Sequence, residues 1–128
     1  SLIDKKTGNV RAVRSGGRSA VTHFEVLVEN RDLGLSLIAC HPETGRSHQI
    51  RVHLELQGLP IVGDKRYGAS RRRPLPDQLA ELAQVHHFLH AKHLRFVPAA
   101  GAEPLELSAP PPDRFARFVL AAFPDLRV

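Results

Sequence analysis

Residues 42–68, PETGRSHQIRVHLELQGLPIVGDKRYG, set arginines, histidines and turn-forming glycines among aliphatic positions. In the centre of this stretch Arg46, His48, Gln49 and Arg51 stand beside residues that belong in a core. Polar and charged side chains cost free energy in a core unless they find hydrogen-bond partners, so a segment that only packs has little reason to hold them. We therefore expect the functional residues of the chain to lie here.

Two periods fit the middle of this stretch. Its aliphatic residues alternate as in a strand, yet several of them also recur at the spacing of one helix face. Gly58 is typical of the position just after a helix, and the segment is long for a strand. These two features favour a helix over residues 47–57 with Ser47 near its N-cap. On that helix His48 and Arg51 lie on one side.

The flanking segments predict both strands and helices. Residues 19–28 alternate with period two, and residues 35–40 resume a β-type apolar run after a turn, which indicates an antiparallel hairpin. The predicted downstream elements are a short helix over residues 77–85 capped by Asp77, a second hairpin of residues 94–97 and 105–109, and a terminal amphipathic helix with Phe115, Phe118 and Phe123 as core anchors.

The charge of the chain allows an anionic partner without requiring one. Eighteen Lys and Arg residues against 13 Asp and Glu give a formal net charge of +5 over 128 residues, a length that suits one domain. Residues 1–17 read as a basic extended arm that contacts phosphate, or alternatively as a frayed terminus. The run Arg71, Arg72 and Arg73 would raise the positive potential beside residues 42–68.

Several kinds of site lack their sequence context. The eight histidines include neither an HExxH motif nor paired cysteine and histidine ligands, so we expect no metal site. No GxSxG surrounds Ser47, and Cys40, the single cysteine, reads as an inert core thiol. A lone cysteine fits a reducing compartment, which predicts the cytoplasm, and no apolar run approaches the ~18 residues that span a membrane.

Arg46 and Arg51 are the stronger candidates. A guanidinium at the start of a helix and another one turn later can hold a phosphate, or can pair with a reactive carboxylate and keep it ionised. The alternative is an ion pair that only stabilises the fold. Replacing a structural arginine lowers stability, whereas replacing a site arginine abolishes activity with little loss of stability.

These residues resemble the RluA-type pseudouridine synthases, which isomerise uridine to pseudouridine in ribosomal and transfer RNA. ETGRSHQIRVHL followed by GLPIVGDKRYG is similar to the family's TGRxHQIRxHL and G.PI.GDxxYG signature. GRSAVTHFEVL, LHAKHLRFVP and LELSAPPPDRF resemble further family segments, in family order. The likeness covers essentially the whole chain.

The resemblance implies an α/β (α+β) domain on a mixed, mostly antiparallel sheet with flanking helices, acting on rRNA or tRNA without a cofactor. In the family an aspartate attacks the nucleoside, and the uracil detaches, rotates and rejoins through carbon. Arg51 would be the arginine that orients this aspartate, and Leu89 would line the base pocket. We assign the other substrate-binding roles to Arg46, His48, Gln49, Arg71, Arg72 and Arg73.

The chain departs from the family pattern at the nucleophile. It contains no HRLDxxTSG, which carries the family's aspartate, and no KxYxAxVxG. We therefore expect residues 1–128 to be a single partial domain, the C-terminal part of a catalytic domain that is inactive alone. Its missing N-terminal half would be a partner, and an unpaired sheet edge would favour a dimer or strand swap. The alternative is a non-catalytic RNA-binding or partner-binding module.

Overall fold

The computed structural model describes residues 7–13, 19–68, 74–84, 87–96 and 98–126. Its elements follow in the order β1 (Thr7–Val13), β2 (Ser19–Asn30), β3 (Leu35–Pro42), α1 (Gln49–Leu56), α2 (Asp77–Leu82), β4 (His93–Phe96), β5 (Leu105–Ser108) and α3 (Asp113–Ala122). Neighbouring strands pair antiparallel in a three-stranded and a two-stranded sheet. This mixture of helices and antiparallel strands confirms the α+β class.

Strand β2 is the centre of the larger sheet, whose order is β1-β2-β3. Thr22, Phe24 and Val26 recur with period two and are buried, as the alternation predicts. The register with β3 shifts between Val26 and Val28, and Leu27 at this irregularity is 54% exposed. The predicted hairpin of β2 and β3 is confirmed.

Strand β1 lies inside the segment that the sequence assigned to an extended arm. It pairs with β2 along its length, from Thr7 opposite Glu25 to Val13 opposite Ser19. The sequence analysis predicted no strand here, because residues 7–13 show no sustained apolar period. Pairing with a strong neighbouring strand supplies what local propensity lacks. The rest of the proposed arm, residues 1–6 and 14–17, lies outside the described residues.

Helix α1 packs on this sheet and confirms the helical period over the strand alternative. His53, Leu54 and Gln49 form its buried face. The helix ends in a Schellman motif: the N–H of Gly58, at φ 73°, donates to Glu55 O at 2.9 Å, and the N–H of Leu59 donates to Leu54 O at 2.8 Å. The predicted role of Gly58 is therefore confirmed.

The second half of the chain packs through helix α3. Phe118, Phe123 and Ala122 form a core cluster with Leu79 of α2. The centre of the Phe88 ring lies 4.4 Å from the centre of the Phe118 ring. The side chain of Asn30, at the end of β2, donates to the carbonyl of Ala122 at 2.7 Å. Phe118 and Phe123 are buried and Phe115 is half-buried, so their predicted role in the core is confirmed.

The prediction that Asp77 caps α2 is wrong. Asp77 is the first helical residue, and Pro76 holds the cap position with φ −53° and ψ 148°. A proline has its φ already near the value required there, so no side-chain cap is used. The helix ends at Leu82, with Ala83 as its C-cap, so it is shorter than the predicted helix over residues 77–85.

The hairpin of β4 and β5 is confirmed but carries an uncovered apolar face. Leu94 lies opposite Leu107 in the register, and Leu105 follows on the same face. Their exposed fractions are 56%, 56% and 48%. None of the described helices is long and apolar enough to cross a bilayer.

Candidate functional site

Arg51 is fixed by a carboxylate of the chain itself. Its Nε donates to Asp64 Oδ2 at 2.8 Å and its Nη2 donates to Asp64 Oδ1 at 2.9 Å. The Asp64 side chain is fully buried and that of Arg51 is 15% exposed. This two-pronged geometry is the strong form of an arginine–carboxylate pair. The ion pair that the sequence analysis left open as an alternative is therefore present.

Asp64 also shapes the loop that follows it. Its Oδ1 accepts hydrogen bonds from the backbone N–H of Arg66 at 3.0 Å and of Tyr67 at 3.1 Å. The Arg51 guanidinium, helped by these N–H groups, holds the pKa of the Asp64 carboxyl far below its usual range, although burial opposes this. The same hydrogen bond raises the pKa of Arg51. Both groups are therefore charged at any physiological pH.

The contacts to Asp64 use one side of the Arg51 guanidinium. They involve Nε and one hydrogen of Nη2, so neither Nη1 nor the second hydrogen of Nη2 is directed at Asp64. A guanidinium can bind a second anion through this outer edge, since it carries five N–H donors. Arg51 can thus hold Asp64 and another carboxylate or phosphate together.

Tyr67 connects Arg51 with His48. The Arg51 Cζ lies 5.0 Å from the centre of the Tyr67 ring, and the Arg66 Cζ lies 5.3 Å from it. The Tyr67 hydroxyl is 3.0 Å from His48 Nδ1, and the two rings meet edge to face at 5.7 Å. Helix α1 and the loop after Asp64 thereby bring His48, Arg51, Arg66 and Tyr67 together.

Gln49 ties the start of α1 to the sheet. Its Nε2 donates to Val21 O at 2.9 Å and to Thr22 Oγ1 at 3.0 Å, while its Oε1 accepts from Thr44 Oγ1 and from the backbone N–H of Arg46. A side-chain amide has two N–H groups and two acceptor positions, so this set is complete. Gln49 is also 4% exposed. The sequence analysis predicted that Gln49 binds RNA. Such a contact would require the amide to break hydrogen bonds that it makes within the chain.

The other predicted site residues are placed as follows. His48 is exposed at the N-cap of α1, and Arg46 is half-buried three residues before Gln49. Leu89 is 39% exposed and follows Phe88, whose N–H donates to Val62 O at 2.8 Å. This bond links the segment of Leu89 to the loop that carries Asp64. Arg71, Arg72 and Arg73 lie outside the described residues.

The sequence analysis missed Asp64 as the partner of Arg51 and Tyr67 as the link to His48. Both residues stand there only as letters of the GLPIVGDKRYG motif. One local signal was present: an aspartate followed by two or three loop residues often accepts their N–H groups in an Asx turn. The pairing with Arg51 carries no such signal, because it depends on the packing of the loop against α1.

Two further expectations concern Cys40 and metals. Burial raises the pKa of the Cys40 thiol to about 11, which keeps it protonated and unreactive near neutral pH. Within the described ranges, no three His, Cys, Asp or Glu side chains converge as a metal site.

Comparison with known proteins gives the family. A sequence model described as RNA pseudouridylate synthase matches residues 2–56. The ribosomal large subunit pseudouridine synthase D of Xanthomonas campestris pv. campestris is 39% identical over 114 residues, which are 86% of this chain. An uncharacterised RNA pseudouridine synthase of Bacillus subtilis is 37% identical over 116 residues, which are 91% of this chain.

The chain belongs to the RluA-type family of RNA pseudouridine synthases.

A solved relative of this synthase family has a similar fold. The human RNA pseudouridylate synthase domain containing 1 superposes with a TM-score of 0.64 at 28% identity, over 87% of this chain and 51% of that one. The chain spans 34% and 35% of the lengths of the Xanthomonas and Bacillus relatives. It therefore corresponds to about a third of these synthases, and Arg51 lies within the part that matches the family.

Proposed function

We propose that this chain forms part of an enzyme that isomerises uridine to pseudouridine in RNA, with Arg51 as the residue that orients the nucleophilic aspartate. The geometry of Arg51 carries the proposal. Asp64 fixes one side of its guanidinium at 2.8 and 2.9 Å and leaves the outer edge for a second carboxylate. A guanidinium so held is preorganised, because its orientation costs no further entropy when the second carboxylate arrives.

The second carboxylate would come from outside residues 1–128. In this proposal the chain is the C-terminal part of a catalytic domain, and the N-terminal part supplies the aspartate. Family relatives are about three times as long, which leaves room for such a part. The uncovered apolar face of β4 and β5 supports this division, because a two-stranded hairpin is only marginally stable alone.

Ribosomal RNA is the substrate class that we propose. Relatives from Xanthomonas and Neisseria carry the name ribosomal large subunit pseudouridine synthase D, at 39% and 41% identity. The formal charge of +5 favours an anionic partner of this kind. An RNA substrate and a sequence with a single cysteine both suit the cytoplasm, which we propose as the compartment.

Replacement of Arg51 in the complete protein tests the catalytic role. Arg51→Lys keeps a cation beside the buried Asp64, so we expect the protein to fold, but lysine cannot hold two carboxylates through a planar fork. We expect pseudouridine formation to fall at least 100-fold, by about 3 kcal/mol of transition-state stabilisation. Pseudouridine is measured in ribosomal RNA by mass spectrometry after digestion to nucleosides.

The control for this experiment is Arg31→Gln. Arg31 lies in the turn after β2 with a side chain that is 79% exposed, so its loss should leave both folding and turnover unchanged. Near-normal turnover of Arg51→Lys with a normal melting temperature would reject the role of Arg51. A wild-type protein that binds RNA but forms no pseudouridine would instead point to a binding module.

A further inference from the structure

Tyr67 and His48 form a hydrogen-bonded pair that the proposed role of Arg51 does not use. The Tyr67 hydroxyl and His48 Nδ1 are 3.0 Å apart, and His48 is exposed. If the hydroxyl donates to Nδ1, then Nε2–H of His48 points elsewhere as a donor. If Nδ1–H donates to the hydroxyl, the hydrogen of Tyr67 is directed elsewhere instead. In both arrangements the pair offers a donor to a third group.

A positive charge lies beside this pair. The Arg66 guanidinium is exposed and lies 5.3 Å from the centre of the Tyr67 ring. Asp64, the nearby carboxylate, pairs with Arg51 and contacts Arg66 only through its backbone N–H. Among the described residues no carboxylate lies within ion-pair distance of the Arg66 side chain. Within the described part of the chain, no ion pair therefore neutralises the charge of Arg66.

His48 is held in a backbone conformation that its side chain disfavours. Its φ of 52° makes it the one non-glycine residue with a positive φ among the described residues. A residue with a Cβ meets a cost of about 1–2 kcal/mol there. The bonds of Gln49 to Thr44 and Arg46 fix the turn just before it. This strained turn presents the imidazole to Tyr67, and such strain is concentrated at functional sites.

We propose that His48, Arg66 and Tyr67 form a binding site for one phosphodiester group of the RNA strand. The proposal rests on the proposed function, because it takes RNA as the substrate. The guanidinium of Arg66 supplies charge and paired N–H donors that match two phosphate oxygens. The Tyr67–His48 pair supplies a further donor, and the Arg51 guanidinium lies over the same ring, with its Cζ 5.0 Å from the ring centre. The site would hold the strand beside the base that reacts.

An RNA phosphate fits this site better than an acidic side chain does. A phosphodiester has several acceptor oxygens arranged tetrahedrally, and it can face donors from Arg66 and from the Tyr67–His48 pair at once. A carboxylate has its acceptors in one plane and is matched by a single guanidinium, as Asp64 is by Arg51.

The test identifies the phosphate of an RNA ligand whose contribution to binding affinity requires Arg66. The complete protein is titrated with a fluorescein-labelled RNA hairpin that has uridines in its loop, with each loop phosphate replaced in turn by an uncharged methylphosphonate. We expect one replacement to weaken binding by wild-type protein about tenfold, the size of one charge-assisted hydrogen bond. That replacement should have no effect on Arg66→Gln, which should already bind about tenfold more weakly than wild type.

Variants of His48 and Tyr67 extend the test. Tyr67→Phe keeps the ring and removes the hydroxyl. His48→Asn keeps a residue that tolerates a positive φ and replaces the imidazole with a shorter amide, so both should change the backbone little. Both should weaken binding of the unmodified hairpin by a smaller factor than Arg66→Gln. The slope of log affinity against log salt should fall by about 0.7 in Arg66→Gln alone, because one counterion fewer is released.

The site is rejected if the effects of the Arg66→Gln substitution and of the methylphosphonates on binding are additive. If every methylphosphonate weakens Arg66→Gln as much as wild type, the site holds no RNA phosphate, even if inorganic phosphate competes for it. Arg31→Gln serves as the charge-matched control and should retain the wild-type methylphosphonate profile. Pseudouridine formation is measured on the same preparations. Absent turnover in wild type rejects the proposed function, whereas normal turnover with an additive profile rejects this site alone.

Discussion

Asp64 determines the geometry of the candidate site, since it holds four hydrogens from three residues. Two come from the Arg51 guanidinium and two from the backbone of Arg66 and Tyr67. The orientation of Arg51 and the position of the Tyr67 ring therefore depend on a single buried carboxylate. A change at Asp64 should alter both together, although Asp64 itself contacts no substrate in the proposed mechanism.

Asp64→Asn should lower the free energy of unfolding by about 3 kcal/mol. The asparagine is neutral, so the Arg51 charge is left largely buried without its counter-charge. Denaturant unfolding followed by circular dichroism measures the change. The matched control is Asp113→Asn, whose carboxylate is 88% exposed and 3.9 Å from Arg117, and which should change stability by less than about 0.5 kcal/mol. Equal effects of the two substitutions would contradict the proposed importance of Asp64.

The stability that Asp64 contributes should depend on pH in one direction. Arg51 lowers the pKa of Asp64 in the folded chain, whereas the unfolded chain has the ordinary value of about 3.9. The unfolded state then takes up protons first, so the contribution is complete above about pH 5 and declines as the pH falls below about 4. The difference in unfolding free energy between wild type and Asp64→Asn should shrink over that acidic range. A constant difference down to pH 2 would contradict this linkage.

Among single residues, Arg51 could be identified as a candidate from the sequence, but its contacts could not. Arg51 stood out because its motif has a family likeness and because a charge among aliphatic residues needs a partner. Asp64 is 13 positions away and becomes that partner only when its loop folds against α1. Gln49 shows the same limit: the sequence marked its amide as a candidate RNA contact, but in the structure the amide makes its hydrogen bonds to other residues of the chain.

Elements were easier to predict where local pattern and tertiary context agree. Helix α1 and the two hairpins carry both a period and a turn or end signal, so their existence followed from the sequence. Strand β1 has no such period. It forms by pairing with β2, and the pattern of its own residues does not reveal that contact. The exact start of α2 also escaped prediction, since aspartate is a preferred cap residue by composition, whereas Pro76 occupies the cap position.

Two glycines near α1 should respond differently to alanine. Gly58 has φ 73° but open space around its Cα, so Gly58→Ala should cost about 1 kcal/mol. Gly68 has φ 77°, and an added Cβ would lie 2.4 Å from Pro60 Cβ and 3.2 Å from Glu55 Cγ. Gly68→Ala should therefore cost about 3 kcal/mol, since strain and overpacking add. Thermal unfolding of the two variants measures this order, and a larger loss for Gly58→Ala would contradict it.

For the whole molecule, the exposed face of β4 and β5 predicts how the isolated chain and the complete protein differ. If the rest of the domain covers Leu94 and Leu107, the double variant Leu94→Ser, Leu107→Ser should destabilise the complete protein by about 2 kcal/mol per residue. The isolated 128-residue chain should lose little stability from the same changes, and its self-association should decrease. Denaturant unfolding and light scattering of the two forms measure this contrast.

Leu120→Ser provides the comparison, since Leu120 is also 52% exposed but lies on α3. It should leave the association of the isolated chain unchanged. An isolated chain that is a monodisperse monomer and melts cooperatively, together with an unaffected complete protein, would contradict a covered face. The fold class was predictable because it needs only the kinds of element, whereas the pattern of β4 and β5 does not determine what covers their apolar face.

The hydrogen bond from Asn30 to Ala122 joins residues 92 positions apart, which bears on the order in which the molecule folds. Contacts between distant residues carry the entropy of closing a long loop and form slowly. Strands β1 to β3 and helix α1 contact one another over much shorter separations. During synthesis on the ribosome, this sheet and the Arg51 helix can therefore order before α3 has emerged. Docking of α3 would then be the late step that completes the core, after the candidate site has taken shape.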